Sequence, residues 1–173
     1  MYSFHITISV LVVYKPLFAP RISYMDILSM KSSISRITIS NWACNDSHCI
    51  IFDLSRFIKV KSIEIGDDCF GSVQIFRIDG LNRLKTIKIG NNSFTQNKID
   101  FGNDKSKSFH ILNCGSLESI EIGEWSFIDF GGDFELTNLP QLQSIQIGTI
   151  GNNSYNFHGS SFIIHGMELM LYI

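Results

Sequence analysis

A seven-residue phrase, L-x-x-I-x-I-G with any aliphatic at its anchors, recurs along the chain and limits what the chain can fold into. Copies start at Ile34 (Ile34, Ile37, Ile39), Val60 (Val60, Ile63, Ile65, Gly66) and Leu84 (Leu84, Ile87, Ile89, Gly90). Two more start at Leu117 (Leu117, Ile120, Ile122, Gly123) and Leu142 (Leu142, Ile145, Ile147, Gly148). The starts are 26, 24, 33 and 25 residues apart. The long interval holds "TQNKIDFGNDKSKS" (Thr95 to Ser108), which reads as a polar loop inserted into one copy.

Two further elements keep step with the phrase. Phe52, Phe76, Phe109 and Phe134 each precede an anchor by eight residues, and each is followed two positions on by Leu54, Ile78, Ile111 or Leu136. Phe162 and Ile164 repeat this, with Met170 and Ile173 beyond, so a sixth copy begins where the chain stops. After the phrase comes G-x-x-[S/C]-aromatic, ending at Phe70, Phe94, Phe127 and, three residues late, at Tyr155 in "GNNSY" from Gly151. The glycines suit a positive φ that turns the chain out of the strand, and the aromatic is expected to plug the turn from inside.

In x-I-x-I the isoleucines share one face, and one such strand cannot bury that face alone. Copies stacked in register bury it as a continuous core. Connections of about 20 residues between like strands require a parallel sheet, because a hairpin needs far fewer. The expectation is a β-rich solenoid with a parallel sheet of about five strands, little helix, and the F-x-[I/L] elements as short strands or extended turns opposite. Residues 31–173 make up the solenoid, with about five repeats and a truncated sixth. Residues 1–30 are an atypical N-terminal segment: a cap, a weak signal-like stretch ("HITISVLVVY", His5 to Tyr14, with no preceding Lys or Arg) or a gene-model remnant.

Segments such as "FELTNLPQLQSIQIG" (Phe134 to Gly148) and "ILNCGSLESIEIG" (Ile111 to Gly123) resemble leucine-rich repeats, in particular the divergent BspA-like subclass. In that subclass Ile often replaces Leu and a Ser/Ala-Phe pair follows the strand. The resemblance spans about Ile34 to Ile173. Asn113 and Asn138 stand at the ladder position of two copies, with Gly80 in that region of another. The resemblance implies a right-handed stack and a non-catalytic scaffold for protein recognition, at a cell surface or in adhesion.

The residues between the isoleucines define a candidate contact face. Its columns read Ser35, Lys61, Lys85, Glu118, Gln143; then Arg36, Ser62, Thr86, Ser119, Ser144; then Thr38, Glu64, Lys88, Glu121, Gln146. The candidate protein-contact residues are Arg36, Lys61, Glu64, Lys85, Lys88, Glu118, Glu121, Gln143 and Gln146. Opposite charges on neighbouring strands help fix register, and the same face reads equally as a solvated sheet. It carries no aromatic residue, so the usual interface anchors are missing.

Chemistry finds little footing. "CNDSHC" (Cys44 to Cys49) offers two thiols and His48, but Cys69 and Cys114 lie in separate repeats, so no tetrahedral zinc set forms. The four cysteines make no disulfide framework and leave the compartment open. His110 and His165 are expected to face outward from short strands. Asp67/Asp68 and Asp129/Asp133 read as loop residues after strands, since glycosidase carboxylates must converge across a cleft. No phosphate loop occurs, so no cofactor is implied. The formal net charge of -2 argues against nucleic acid, and no apolar run is long enough for a membrane helix. Sequons at Asn45, Asn91 and Asn152 are either glycan sites or ordinary turn residues.

Three functions follow from this pattern. The first is a protein-contact scaffold. The second is a fragment of a larger repeat array, whose open edge near Met170 to Ile173 favours self-association. The third, a polysaccharide-active β-helix enzyme, is disfavoured because the stacked positions are of mixed sign rather than a convergent charged set.

Overall fold

The protein is described from a computed structural model, which covers residues 10–13, 27–29, 32–96, 102–149 and 154–166. Most of the signal-like stretch, Gly151, the Asn152 sequon and the edge at Met170 to Ile173 lie outside those residues.

The Ile-x-Ile copies form one parallel sheet and the Phe-x-aliphatic copies form a second. The first, sheet A, comprises β1 (Val10–Val13), β2 (Arg36–Ile39), β4 (Ser62–Ile65), β6 (Thr86–Ile89), β8 (Ser119–Ile122) and β10 (Ser144–Ile147), in that order. The second, sheet B, comprises β3 (Ile51–Asp53), β5 (Ile75–Asp79), β7 (Ser108–Leu112), β9 (Asp133–Thr137) and β11 (Ser161–His165), again in chain order. The chain alternates between the sheets, so each coil supplies one strand to each. Among the described residues this is a β-solenoid of about five turns with almost no helix. Its first sheet extends into the N-terminal segment, where Val10 pairs with Arg36 and Val13 with Ile39.

The register is the one the repeats dictate. Ile37, Ile63, Ile87, Ile120 and Ile145 are successive Cα partners, as are Ile39, Ile65, Ile89, Ile122 and Ile147. A slip of one residue would turn every isoleucine to the wrong face. Sheet B pairs Phe52, Phe76, Phe109, Phe134 and Phe162 in the same way.

Two interlocked phenylalanine ladders fill the space between the sheets. Phe76 and Phe109 stack at 4.5 Å with planes 8° apart, and Phe109 and Phe134 at 4.9 Å and 5°. The turn aromatics stack likewise, Phe94 on Phe127 at 4.7 Å and 3°. The two ladders meet edge to face, as in Phe109 against Phe127 at 85°. Ring spacing thus matches the strand spacing of about 4.8 Å. Each aromatic contact contributes roughly 0.5–1.5 kcal/mol beyond its buried area.

The last ladder member is Phe157, which corrects the expectation for Tyr155. Phe157 is buried and stacks on Phe127 at 4.8 Å, while Tyr155 sits half-exposed beside Trp125 at 5.4 Å. The residues after Gly148 shift the true equivalent of "EWSF" to "SYNF" (Ser154 to Phe157), not "GNNSY".

The turn after sheet A also works differently from the glycine reading. Gly66, Gly90 and Gly123 do not have positive φ; of the glycines that follow sheet A strands, Gly148 alone does, at 66°. The left-handed positions fall on non-glycine residues in alternation: Asp68 and Phe70, Asn92 and Phe94, Trp125 and Phe127, Tyr155 and Phe157. The alternation sends successive amides in opposite directions along the stack. Asn92 N–H reaches the Glu124 carbonyl of the next coil at 2.9 Å, and Phe94 N–H the Cys69 carbonyl of the previous one at 2.8 Å. Those bonds and the ring stacking offset a left-handed penalty of about 1–2 kcal/mol per residue. The strand-end glycines are needed for close approach. A Cβ on Gly90 would lie 2.4 Å from Asp67 Oδ1 and 2.6 Å from the Gly66 carbonyl carbon.

Candidate functional site

All three columns expected on sheet A exist. Within the strands, Arg36, Ser62, Thr86, Ser119 and Ser144 are successive partners, and so are Thr38, Glu64, Lys88, Glu121 and Gln146. The first column lies one residue before the strands, where Lys85 N–H bonds to the Lys61 carbonyl, Glu118 N–H to Lys85 and Gln143 N–H to Glu118. Of the nine candidate residues, Glu118 is half-buried and Arg36, Lys61, Glu64, Lys85, Lys88, Glu121, Gln143 and Gln146 are exposed.

Two ion pairs cross this face, Lys85 Nζ to Glu118 Oε1 at 2.6 Å and Lys88 Nζ to Glu121 Oε2 at 3.3 Å. Side-chain exposures of 63% and 51% for Lys88 and Glu121 put that pair in water, where it contributes little to stability. At the C-terminal ends of β2, β4 and β6 a shallow cleft of about 310 Å³ opens, lined by Thr38, Asn41, Glu64, Asp67 and Lys88 among others. Its walls carry both signs of charge.

Sheet B presents an outward array of its own. Arg77, His110 and Glu135 each follow a ladder phenylalanine and are successive partners. His110 Nδ1 lies 3.0 Å from Glu135 Oε2. Arg77 pairs with Asp79 at 2.7 Å, and Asn113 Nδ2 donates to Asp79 Oδ1 at 3.0 Å. The Asn113 amide bond and the Arg77 guanidinium hold the Asp79 carboxyl below the usual carboxylate range. His110 and His165 face outward as expected; the Glu135 partner was missed, although the fixed offset from Phe109 and Phe134 encodes it.

Asp67 and Asp68 lie in the turn after β4, as expected, but the second acidic pair departs from the loop reading. Asp133 opens β9 and is exposed, while Asp129 is buried with Lys107, whose Nζ lies 2.5 Å from Asp129 Oδ2. The pair draws the inserted segment onto the coil below. Asp104 bridges to Phe130, and Lys105 Nζ donates to the Gly159 carbonyl at 2.7 Å. The described part of the insertion is therefore docked on the stack, not a free polar loop. No spacing in the sequence marks Lys107 as buried.

The cysteines are all free and buried. Burial pushes the Cys49 thiol up to about 12, with Asp46 adding to it, and the Cys69 and Cys114 thiols to about 11. Such thiols are poor nucleophiles and poor metal ligands at neutral pH. Among the described residues no group of three or more His, Cys, Asp or Glu is arranged to hold a metal ion, and no helix is long and apolar enough to cross a membrane. The Asn45 and Asn91 side chains serve the turns. Asn45 Nδ2 donates to the Asp68 carbonyl at 2.6 Å while its Oδ1 accepts Gly71 N–H, and Asn91 Oδ1 accepts Glu124 N–H at 2.8 Å.

Fold and surface together define a two-sheet parallel β-solenoid whose outward columns are solvated and polar. Comparisons with protein-family models, with curated proteins and with solved structures found no match.

Proposed function

We propose that this solenoid is a non-catalytic scaffold that binds a protein partner through the outward face of sheet A, as the leucine-rich repeats it resembles do. One observation carries the reading. Outward side chains are held in straight columns by coil-to-coil pairing, with Arg36, Lys61, Lys88 and Glu121 extended into water over a rigid core. A prearranged surface lowers the ordering entropy of binding. The test is affinity capture with reversed charges. Lys61→Glu/Lys88→Glu should lose a captured partner that the sheet B variant Arg77→Ser/His110→Ser retains. Capture that ignores the sheet A substitutions would reject this face.

A second reading, association with a further coil, is favoured by the exposure of the last described coil. Phe162 and Ile164 are 56% and 42% exposed, whereas Phe134 and Leu136 at the same positions are 1% and 0%. Light scattering over a concentration series would show dimers that Phe162→Ser abolishes. A monomer at all concentrations would reject it.

A further inference from the structure

The turn from sheet B to sheet A carries a cluster that the sheet-face pattern does not include. Lys59 and Arg83 each precede a buried anchor, Val60 and Leu84; Lys61 and Lys85 each follow one. The N–H of Lys85 bonds to the carbonyl of Lys61, so these two lysines are direct neighbours across coils, and the same spacing puts Lys59 beside Arg83. Arg56 lies on the same turn, its guanidinium donating to the Leu28 carbonyl and 5.4 Å from the Phe57 ring.

Glu118 neutralises Lys85 at 2.6 Å, and among the described residues no carboxylate is within ion-pair distance of Lys59, Lys61 or Arg83. Like charges on adjacent strands are destabilising, so the fold carries a repulsion here that an anion would relieve. Ile58, between Arg56 and Lys59, is 61% exposed. In later coils Ser116 and Gln141 stand where Lys59 and Arg83 do, and Glu118 and Gln143 where Lys61 and Lys85 do, so the cationic cluster is confined to these two coils.

We propose that this edge docks a short acidic peptide segment of a partner protein, its carboxylates on Lys59, Lys61 and Arg83 and an apolar side chain on Ile58. The proposal rests on the protein-contact reading above and names the chemistry of the partner. The surrounding charges select a short peptide over a long polyanion or a membrane. In the coils beyond, Lys85 and Lys88 are paired with Glu118 and Glu121, so the run of unpaired cations does not continue along the axis as a nucleic acid, a sulfated glycan or an anionic bilayer would need. The exposed Ile58 adds a contact that a purely anionic polymer cannot use.

The test is fluorescence anisotropy with a fluorescein-labelled peptide of eight glutamates around a central leucine, on the intact chain. Affinity should fall about tenfold in Lys59→Gln/Arg83→Gln, and again as salt rises from about 50 to 300 mM, as for contacts between exposed charges. It should be unchanged in the sheet B control Arg77→Ser/His110→Ser, and the glutamine version of the peptide should not bind. Circular dichroism checks the fold of each variant. If the double variant does not fold, Lys61→Gln and the salt series on the unaltered chain decide in its place. No binding, or binding indifferent to both Lys59/Arg83 and Lys61, overturns the proposal. So does tighter binding of a heparin fragment or of phosphatidylserine vesicles. Failure here with capture still lost in Lys61→Glu/Lys88→Glu rejects the acidic peptide and leaves the sheet-face reading standing.

Discussion

The Ser93 hydroxyl oxygen accepts the backbone N–H of Cys69, one coil away, at 3.0 Å. The same hydroxyl donates to the Gly66 carbonyl at 2.8 Å. The next coil repeats both bonds: Ser126 Oγ accepts Ser93 N–H at 3.0 Å and donates to the Gly90 carbonyl at 2.7 Å. Cys69 Sγ reaches the Ser40 carbonyl at 3.2 Å, and Asn156 Nδ2 the Gly123 carbonyl at 2.8 Å. One small polar side chain per coil thus satisfies backbone groups that the turn leaves buried.

Ser93→Ala should therefore destabilise the fold by about 1–3 kcal/mol, because it strands a buried donor and a buried acceptor. Ser93→Cys should lose less, since Cys69 fills the equivalent position. Urea unfolding of the three proteins ranks them, and equal midpoints would show the ladder to be dispensable.

Glycine substitutions separate two causes. Gly90→Ala forces a Cβ into the backbone of the previous coil and should cost several kcal/mol, as overpacking against a rigid neighbour does. Gly80 has φ 71° and open space around its Cβ position, so Gly80→Ala should cost about 1 kcal/mol. Gly80→Asn should be near neutral, because Asn113 and Asn138 adopt φ 52° and 57° at the equivalent turn. Thermal melts would check the order.

Breaking the Lys107–Asp129 pair should be severe. Lys107→Met leaves a buried carboxylate and should cost about 3–5 kcal/mol, and Lys107→Met/Asp129→Leu should recover most of it. Additive losses in the double-mutant cycle would mean that the pair is not coupled.

Stability should fall at alkaline pH. Folding raises the Cys49, Cys69 and Cys114 thiols to about 12, 11 and 11. An unfolded thiol ionises near 8.5, so above that pH the unfolded state binds fewer protons and is stabilised relative to the native state. The stability these thiols contribute is complete below about 8.5 and is lost as pH rises from there towards 11–12. Cys49→Ser/Cys69→Ser should flatten that slope in denaturant titrations from about pH 8 to 10, the unfolded thiol range. An unchanged slope would assign it to other groups.

The repeat spacing made the solenoid, both inward columns and all three outward columns legible, because in a parallel stack equivalent residues of successive coils must pair. Arg36 beside Ser62 and Lys88 beside Glu121 follow from counting residues. The same counting misplaced Tyr155, where extra residues after Gly148 broke the phase and Phe157 took the buried site.

What the sequence by itself determined is the register and the core, both consequences of local alternation repeated at a nearly constant period. Only the tertiary structure decided why Gly90 is glycine, how Ser93 is bonded and that Lys107 is buried against Asp129. Each depends on a distance of a few ångströms between residues more than 20 apart in the chain. Periodicity says which coil lies next to which, but not how closely their turns approach.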